Sequence, residues 1–290
     1  MLRLFLGAAC IGFAPIFVRL LPLAPTPIGF YRCGFATIFL MLYISATDRK
    51  NFRPLTWAFD VWKLILLAGA LFAVDLFVWH RSVIYAGAGL GTILGNTQVF
   101  YVALVGVFFY KERITFKFIS SVFMAFFGIY LLVSYRIFQG EEVNYSWGVF
   151  FGLLTGIIYA SYILTIRKIE SMANRPPTEQ VLAMVSLVSA IGLFLISEGE
   201  GTMRMPAGIE WAHLIGLALV AQVFGWLLIT RALPRTPVSR SGLILNAQPV
   251  VAVIASALIL DERLGAIQLA GAALTLYAIY LGSHKVKKSK

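Results

Sequence analysis

The chain reads as an all-α membrane protein: ten transmembrane helices, arranged as two inverted five-helix repeats around a central cavity. Three observations predict this. Of the 290 residues, 60% are hydrophobic and only 13% charged, where a soluble protein carries about 25% charged residues. Apolar runs of about 20 residues, each long enough to cross a bilayer as a helix, recur along nearly the whole length. One stretch also occurs twice. Asn96 to Arg113 reads N-T-Q-V-F-Y-V-A-L-V-G-V-F-F-Y-K-E-R, and Asn246 to Arg263 reads N-A-Q-P-V-V-A-V-I-A-S-A-L-I-L-D-E-R. Asn96 matches Asn246, Gln98 matches Gln248, Glu112 matches Glu262 and Arg113 matches Arg263, each at an offset of 150 residues. Identical polar residues at fixed spacing inside apolar runs indicate structural repeats, expected over residues 1–138 and 139–290.

Ten spans are predicted, roughly at 4–21, 28–46, 62–85, 88–110, 115–135, 146–167, 179–197, 210–231, 237–260 and 265–283. The first follows Arg3 and could pass for a signal peptide, but it lacks a small-residue cleavage site, and Pro15 and Arg19 interrupt it; it is expected to be retained. Pro22, Pro25 and Pro27 make a turn. Arg49, Lys50 and Arg53 mark the next loop. The glycines 87, 89, 91 and 95 open the fourth span. Glu141 and Glu142 separate spans five and six; Glu198 and Glu200 separate seven and eight. The Lys285–Lys290 tail is polar. Cys10 and Cys33 lie in separate apolar segments and read as small packing residues.

Charge sets the expected orientation. With the N-terminus inside, 18 of the 24 Lys and Arg fall on the cytoplasmic side, so both termini should be cytoplasmic. The net charge of +11 is therefore a topological signal, and no nucleic-acid partner is expected. Five spans per repeat force the second copy to enter upside down. In agreement, Lys111 and Lys117 become Asp261 and Ile267 in the second copy. Inverted repeats with a site between them are an architecture of secondary transporters, although a duplication can also underlie another function.

G-F-Y-R at Gly29–Arg32, W-H-R-S at Trp79–Ser82, G-N-T-Q-V-F at Gly95–Phe100, Lys111–Arg113, Leu245–Arg263 and the terminal run Ala270–Leu281 together resemble the EamA-type branch of the drug/metabolite transporter superfamily. The resemblance spans essentially the whole chain. It implies five-plus-five inverted topology, with spans 1, 3, 4, 6, 8 and 9 around the cavity. It implies no universal catalytic residue, and substrates ranging over amino acids, metabolites and toxic compounds. The Glu-Arg pairs at 112–113 and 262–263 mark span ends and read as structural.

Several residues are candidates for substrate binding. Asp75 is the only acid in the middle of a span, where a charge costs roughly 2.5–3.5 kcal/mol on insertion scales and usually lines a cavity. It either binds a cationic group or a proton, or is tied to a neighbouring Arg, Asn or Gln and fixes packing. Trp79 and Ser82 share its face. Asn96, Gln98, Asn246 and Gln248 carry amides at equivalent depths, as substrate ligands or as interhelical glue. Two residues apart, only one of each pair should point inward. Pro249 frees a carbonyl near Leu245 and permits a kink. Tyr159, Tyr162, Gln222 and Trp226, with Trp79, are candidates for an aromatic box. Gly91-x-x-x-Gly95 and Gly152-x-x-x-Gly156 suit close helix contact. Arg19, Arg32 and Arg81 are placed near the outer face, where they attract an anion, snorkel or pair.

No H-E-x-x-H, G-x-S-x-G, cysteine cluster or P-loop is present, so neither an enzyme nor an ATP-driven pump is expected, and no cofactor. The favoured function is a secondary transporter in the cytoplasmic (inner) membrane, a monomer or homodimer, exporting a small metabolite such as an amino acid. The alternatives are a lipid-carrier translocator or passive channel on the same fold, or a non-transporting sensor.

Overall fold

The computed structural model describes residues 1–47, 52–137, 145–259 and 265–283. Arg49, Lys50, Glu141, Glu142, Asp261, Glu262, Arg263 and the Lys285–Lys290 tail lie outside the described residues. Those described form helices and no strand. Six stretches are long and apolar enough to cross a membrane: Leu2–Arg19, Pro25–Thr47, Phe59–Ser82, Ser146–Glu170, Thr178–Gly199 and Glu210–Arg235. Shorter apolar helices accompany them. Large apolar side chains such as Leu42, Phe123, Phe127, Ile191 and Leu195 are exposed on the outside of the bundle, as suits a surface solvated by lipid.

Several predicted spans are broken, and the α-helices among the described residues number thirteen. The first span is two helices, α1 (Leu2–Gly12) and α2 (Ala14–Arg19), parted at Phe13. Pro15 lies in the first turn of α2, where its missing N–H is tolerated. α3 spans Pro25–Thr47. The expected spans at 62–85 and 88–110 are instead α4 (Phe59–Gly95) and α5 (Gln98–Phe108). A straight helix would hold Ser82 and Leu94 about 18 Å apart, yet both reach Gly152, so α4 folds back between them. α6 (Phe116–Ile137), α7 (Tyr145–Glu170) and α8 (Thr178–Gly199) are uninterrupted. The eighth span comprises α9 (Glu210–Leu217), a π-helical stretch Ala218–Gly225 and α10 (Trp226–Ala232). The ninth is α11 (Val238–Leu245) and α12 (Ala247–Ile259), parted at Asn246; α13 (Ala266–Ser283) is last. The missing N–H of Pro249 leaves the Leu245 carbonyl without its helical partner, and the break falls beside it. The two breaks at Asn96–Thr97 and Asn246 occupy the same register of the repeated stretch.

Packing pairs α3 with α8, α5 with α11 and α6 with α13. α4 packs on α7, and α1 packs on α10, α12 and the π stretch. Glycines make these approaches possible: a side chain on Gly152 would enter Leu94 and Ser82, and one on Gly156 would meet Thr97 and the Leu94 carbonyl.

One end of the bundle is tied by polar contacts. Lys111, at φ 52°, ends α5 in a left-handed turn that returns the Glu112 N–H to the Gly106 carbonyl at 2.9 Å. This aims the Glu112 carboxylate at the start of α11. It accepts from Val238 N at 2.6 Å, Ser239 N at 3.0 Å and Ser239 Oγ at 2.6 Å, the role of a helix N-cap. Beside it Arg167 donates to the carbonyls of Leu233 and Thr236. Arg175 pairs with Glu170 at 3.3 Å and Arg231 with Glu179 at 3.0 Å.

The close contacts predict which glycines tolerate bulk. Gly152→Leu should lower stability by about 1–3 kcal/mol through overpacking, read as a fall in the melting temperature of detergent-purified protein. Gly34→Leu should leave it unchanged, because nothing lies within 4 Å of a Cβ there.

Candidate functional site

Beyond the tied end, the helices enclose a cavity of about 130 Å³. Its wall draws on both sequence halves: α1 and α2 around their break, Arg32 of α3, Phe72, Asp75, Trp79 and Gly95 of α4, Asn96, Thr155 and Tyr159 of α7, Trp226, and Gln248, Pro249 and Ala252 of α12. Four helix interruptions border it. Gly12 and Ala14 flank the first, Asn96 is the second, Trp226 follows the π stretch and Gln248 follows the break at Asn246.

Of the ten sequence candidates, the structure brings six to this wall: Asp75, Trp79, Asn96, Tyr159, Trp226 and Gln248. The other four, Gln98, Tyr162, Gln222 and Asn246, do not line it. Gln98 is fully buried and its Nε2 donates to the Gly242 carbonyl at 3.0 Å, binding α5 to α11. Tyr162 packs its ring on Trp226 (centroids 4.7 Å) and Phe72 (4.8 Å) and is fully buried. Asn246 is fully buried, and neither of its amide atoms has a hydrogen-bond partner among the described residues. One amide of each pair therefore meets the cavity, and it is the opposite one in the two copies: Asn96 in the first, Gln248 in the second.

Asp75 is 7% exposed, and its Oδ1 is buried without a hydrogen-bond partner among the described residues. Ser82, expected on the same face, instead donates to the Gly148 carbonyl at 2.9 Å. Tyr159 Oη accepts from Gln248 Nε2 at 2.8 Å, joining α7 to α12 across the wall. Tyr159 and Tyr162 both meet the Trp226 ring edge-on. Phe72, which sequence reasoning passed over, completes this cluster. Trp79 joins the wall, its ring tilted against His80 with centroids 5.0 Å apart.

Arg32, expected near the outer face with Arg19 and Arg81, does not snorkel: it is 6% exposed and lines the cavity, with Nε donated to Gln222 Oε1 at 2.8 Å. Gln222 thus acts on the cavity through Arg32. Arg81 pairs with Glu200 instead. Among the described residues no group of three or more His, Cys, Asp or Glu could hold a metal.

The arrangement is a small polar-and-aromatic chamber at broken helices, able to hold one small molecule. Comparison with known proteins gives matches in family, in sequence and in fold. A model described as the EamA-like transporter family matches residues 1–134 and 146–283. A probable amino-acid metabolite efflux pump of Escherichia coli (strain K12) is 28% identical over 201 residues, 67% of each chain. An uncharacterized transporter of Archaeoglobus fulgidus is 24% identical over 264 residues, 89% of this chain and 88% of its own. One solved crystal structure shares the fold with TM-score 0.83 at 16% identity, over 97% of this chain and 96% of that one.

The wall predicts reactivity. In a protein whose Cys10 and Cys33 are replaced by alanine, Asn96→Cys should react with a small polar thiol reagent. Asn246→Cys should be protected by comparison, as measured by mass shift over time. Equal protection of both would count against an aqueous cavity at Asn96.

Proposed function

The chain belongs to the EamA-like transporter family, and from that premise we propose a secondary transporter that moves a small metabolite, an amino acid or related compound, out across the cytoplasmic membrane by alternating access. The proposal includes ten spans in two inverted repeats, residues 1–138 and 139–290, with both termini cytoplasmic. Packing supports it. Exchanging each span for its repeat mate leaves the pairs α3 with α8, α5 with α11 and α6 with α13 unchanged, and turns the α4–α7 contact into α1's contact with α10 and α12.

The observation that carries the reading is the unequal state of two equivalent side chains. Gln98 is shut against Gly242, while Gln248, its register mate, faces the cavity. A transporter with inverted repeats should hold its copies in different conformations around one site. In the proposed orientation the cavity faces outward, and the Glu112 and Arg167 contacts close the cytoplasmic end. Asp75, Trp79, Asn96, Tyr159, Trp226 and Gln248 would contact substrate. Gln98, Tyr162, Gln222 and Asn246 would support the wall or exchange places with their mates in the other state. The efflux direction is carried over from the name of the Escherichia coli relative.

Purified protein in liposomes tests this with a labelled amino-acid mixture. Internal unlabelled amino acids should accelerate uptake of label; linear, unstimulated flux would point to a channel, and binding without flux to a sensor. Asp75→Asn should cut exchange about tenfold or more if the carboxylate recognises a cationic group or proton, a loss of about 1.4 kcal/mol in transition-state stabilisation. An unchanged rate and pH profile in a folded variant would reduce Asp75 to packing. A reporter active only in the cytoplasm, fused after Lys290, should give signal.

A further inference from the structure

The cavity contains two buried groups of opposite formal charge that do not pair. Arg32 gives its Nε to a neutral acceptor, Gln222, and no described residue accepts from its Nη1 or Nη2. Asp75 Oδ1 is buried with no hydrogen-bond partner among the described residues, and none of the described ion pairs within 4 Å joins Asp75 to Arg32. Unpaired charges at membrane depth are costly and mark substrate pathways. If these two served only to neutralise each other, contact between them would be the lowest-energy arrangement.

The surroundings of Arg32 hold it where it is. Gln222 is itself within 3.5 Å of Ser186 Oγ, so its acceptor oxygen is oriented towards α3. The Arg32 guanidinium lies 5.6 Å from the Phe72 ring centroid. A neutral, anchored acceptor on Nε leaves the outer pair of guanidinium nitrogens free. That pair has the planar fork that matches a carboxylate in bidentate fashion.

We propose that the cavity is a zwitterion receptor: Arg32 takes the ligand's carboxylate through its two Nη atoms, Asp75 takes its ammonium group, and Gln222 is the residue that positions Arg32. The aromatic wall of Phe72, Trp79, Tyr159 and Trp226 receives the ligand's apolar part. The inference rests on the transporter reading above and narrows it. A simple organic cation would satisfy Asp75 and leave Arg32 buried and unpaired, and a simple anion would do the reverse. Only a ligand with both charges meets both groups.

Matched probes separate the charges. L-Leucine and L-phenylalanine carry both; their amides carry only the cation, and 4-methylpentanoate and 3-phenylpropanoate only the anion. Binding to the full-length protein in detergent is read by thermal stabilisation, and movement by counterflow in liposomes. Both amino acids should bind at least about tenfold more tightly than either partner compound. Arg32→Gln should erase the preference for amino acid over amide, Asp75→Asn the preference over the des-amino acid, and Arg32→Lys should retain part of it. Gln222→Met should weaken amino-acid binding and leave amide binding unchanged, which supplies a second reading should Arg32→Gln not fold. Amides or tetraphenylphosphonium bound and moved as well as amino acids, indifferent to Arg32→Gln, would overturn the receptor while leaving a transporter. No binding and no flux with any probe would overturn both.

Discussion

In hydrocarbon no water is present to satisfy a backbone N–H or C=O, so a helix can be broken only where protein or a wet cavity faces the break. The architecture follows from that constraint. Interruptions at Phe13, at Asn96–Thr97, along Ala218–Gly225 and at Asn246 come from helices far apart in sequence. Each would be costly on a lipid-facing surface. Gathered around one chamber, they supply one another's surroundings and give the cavity polar walls that continuous helices would lack. The residues that break the helices and those that line the site are therefore largely the same, or immediate neighbours.

This explains which parts of the site were legible in the sequence. Asp75 and Trp79 sit one turn apart on an unbroken part of α4, where helical spacing holds, and both reach the wall. Spacing fails wherever the helix is interrupted. Gln222 and Trp226 are four residues apart, but the intervening backbone is π-helical, whose wider turn removes the shared face. Asn96 and Gln98 straddle a break, as do Asn246 and Gln248, so no periodicity could say which amide of each pair looks inward. Of the roles the sequence left open for Arg32, its own helix could not choose one. α3 begins at Pro25, so Arg32 lies about 10 Å along the helix. Its neutral partner, Gln222, comes 190 residues later, and nothing local announces it. Tyr162 had the right neighbours but lost its access, because its ring is packed against Phe72 and Trp226.

The all-helical membrane class was more legible than the site, because hydropathy is a property of long stretches. The Glu112 motif shows how a repeat can carry structure rather than binding. Its carboxylate caps α11 with three hydrogen bonds, so an acid just past the end of α5 ties that helix to α11. Lys111, the one left-handed non-glycine among the described residues, is the turn that aims it.

On the transporter reading, repetition also bears on energy. A ligand shifts a conformational equilibrium only by its differential affinity for the two states. If one state were favoured by many kcal/mol, a small molecule making a handful of contacts could not drive the cycle. Inverted copies lessen that difficulty. The contact that Gln98 makes with Gly242 in one state has its counterpart in Gln248 of the other, so a bond lost at one end is matched in kind at the opposite end. The copies need not be identical. Pro249 has no partner at Val99, and Gln248 rests on Tyr159, so a residual bias between the two states remains. That bias, set by a few substitutions within a common register, is the quantity a bound zwitterion would have to overcome.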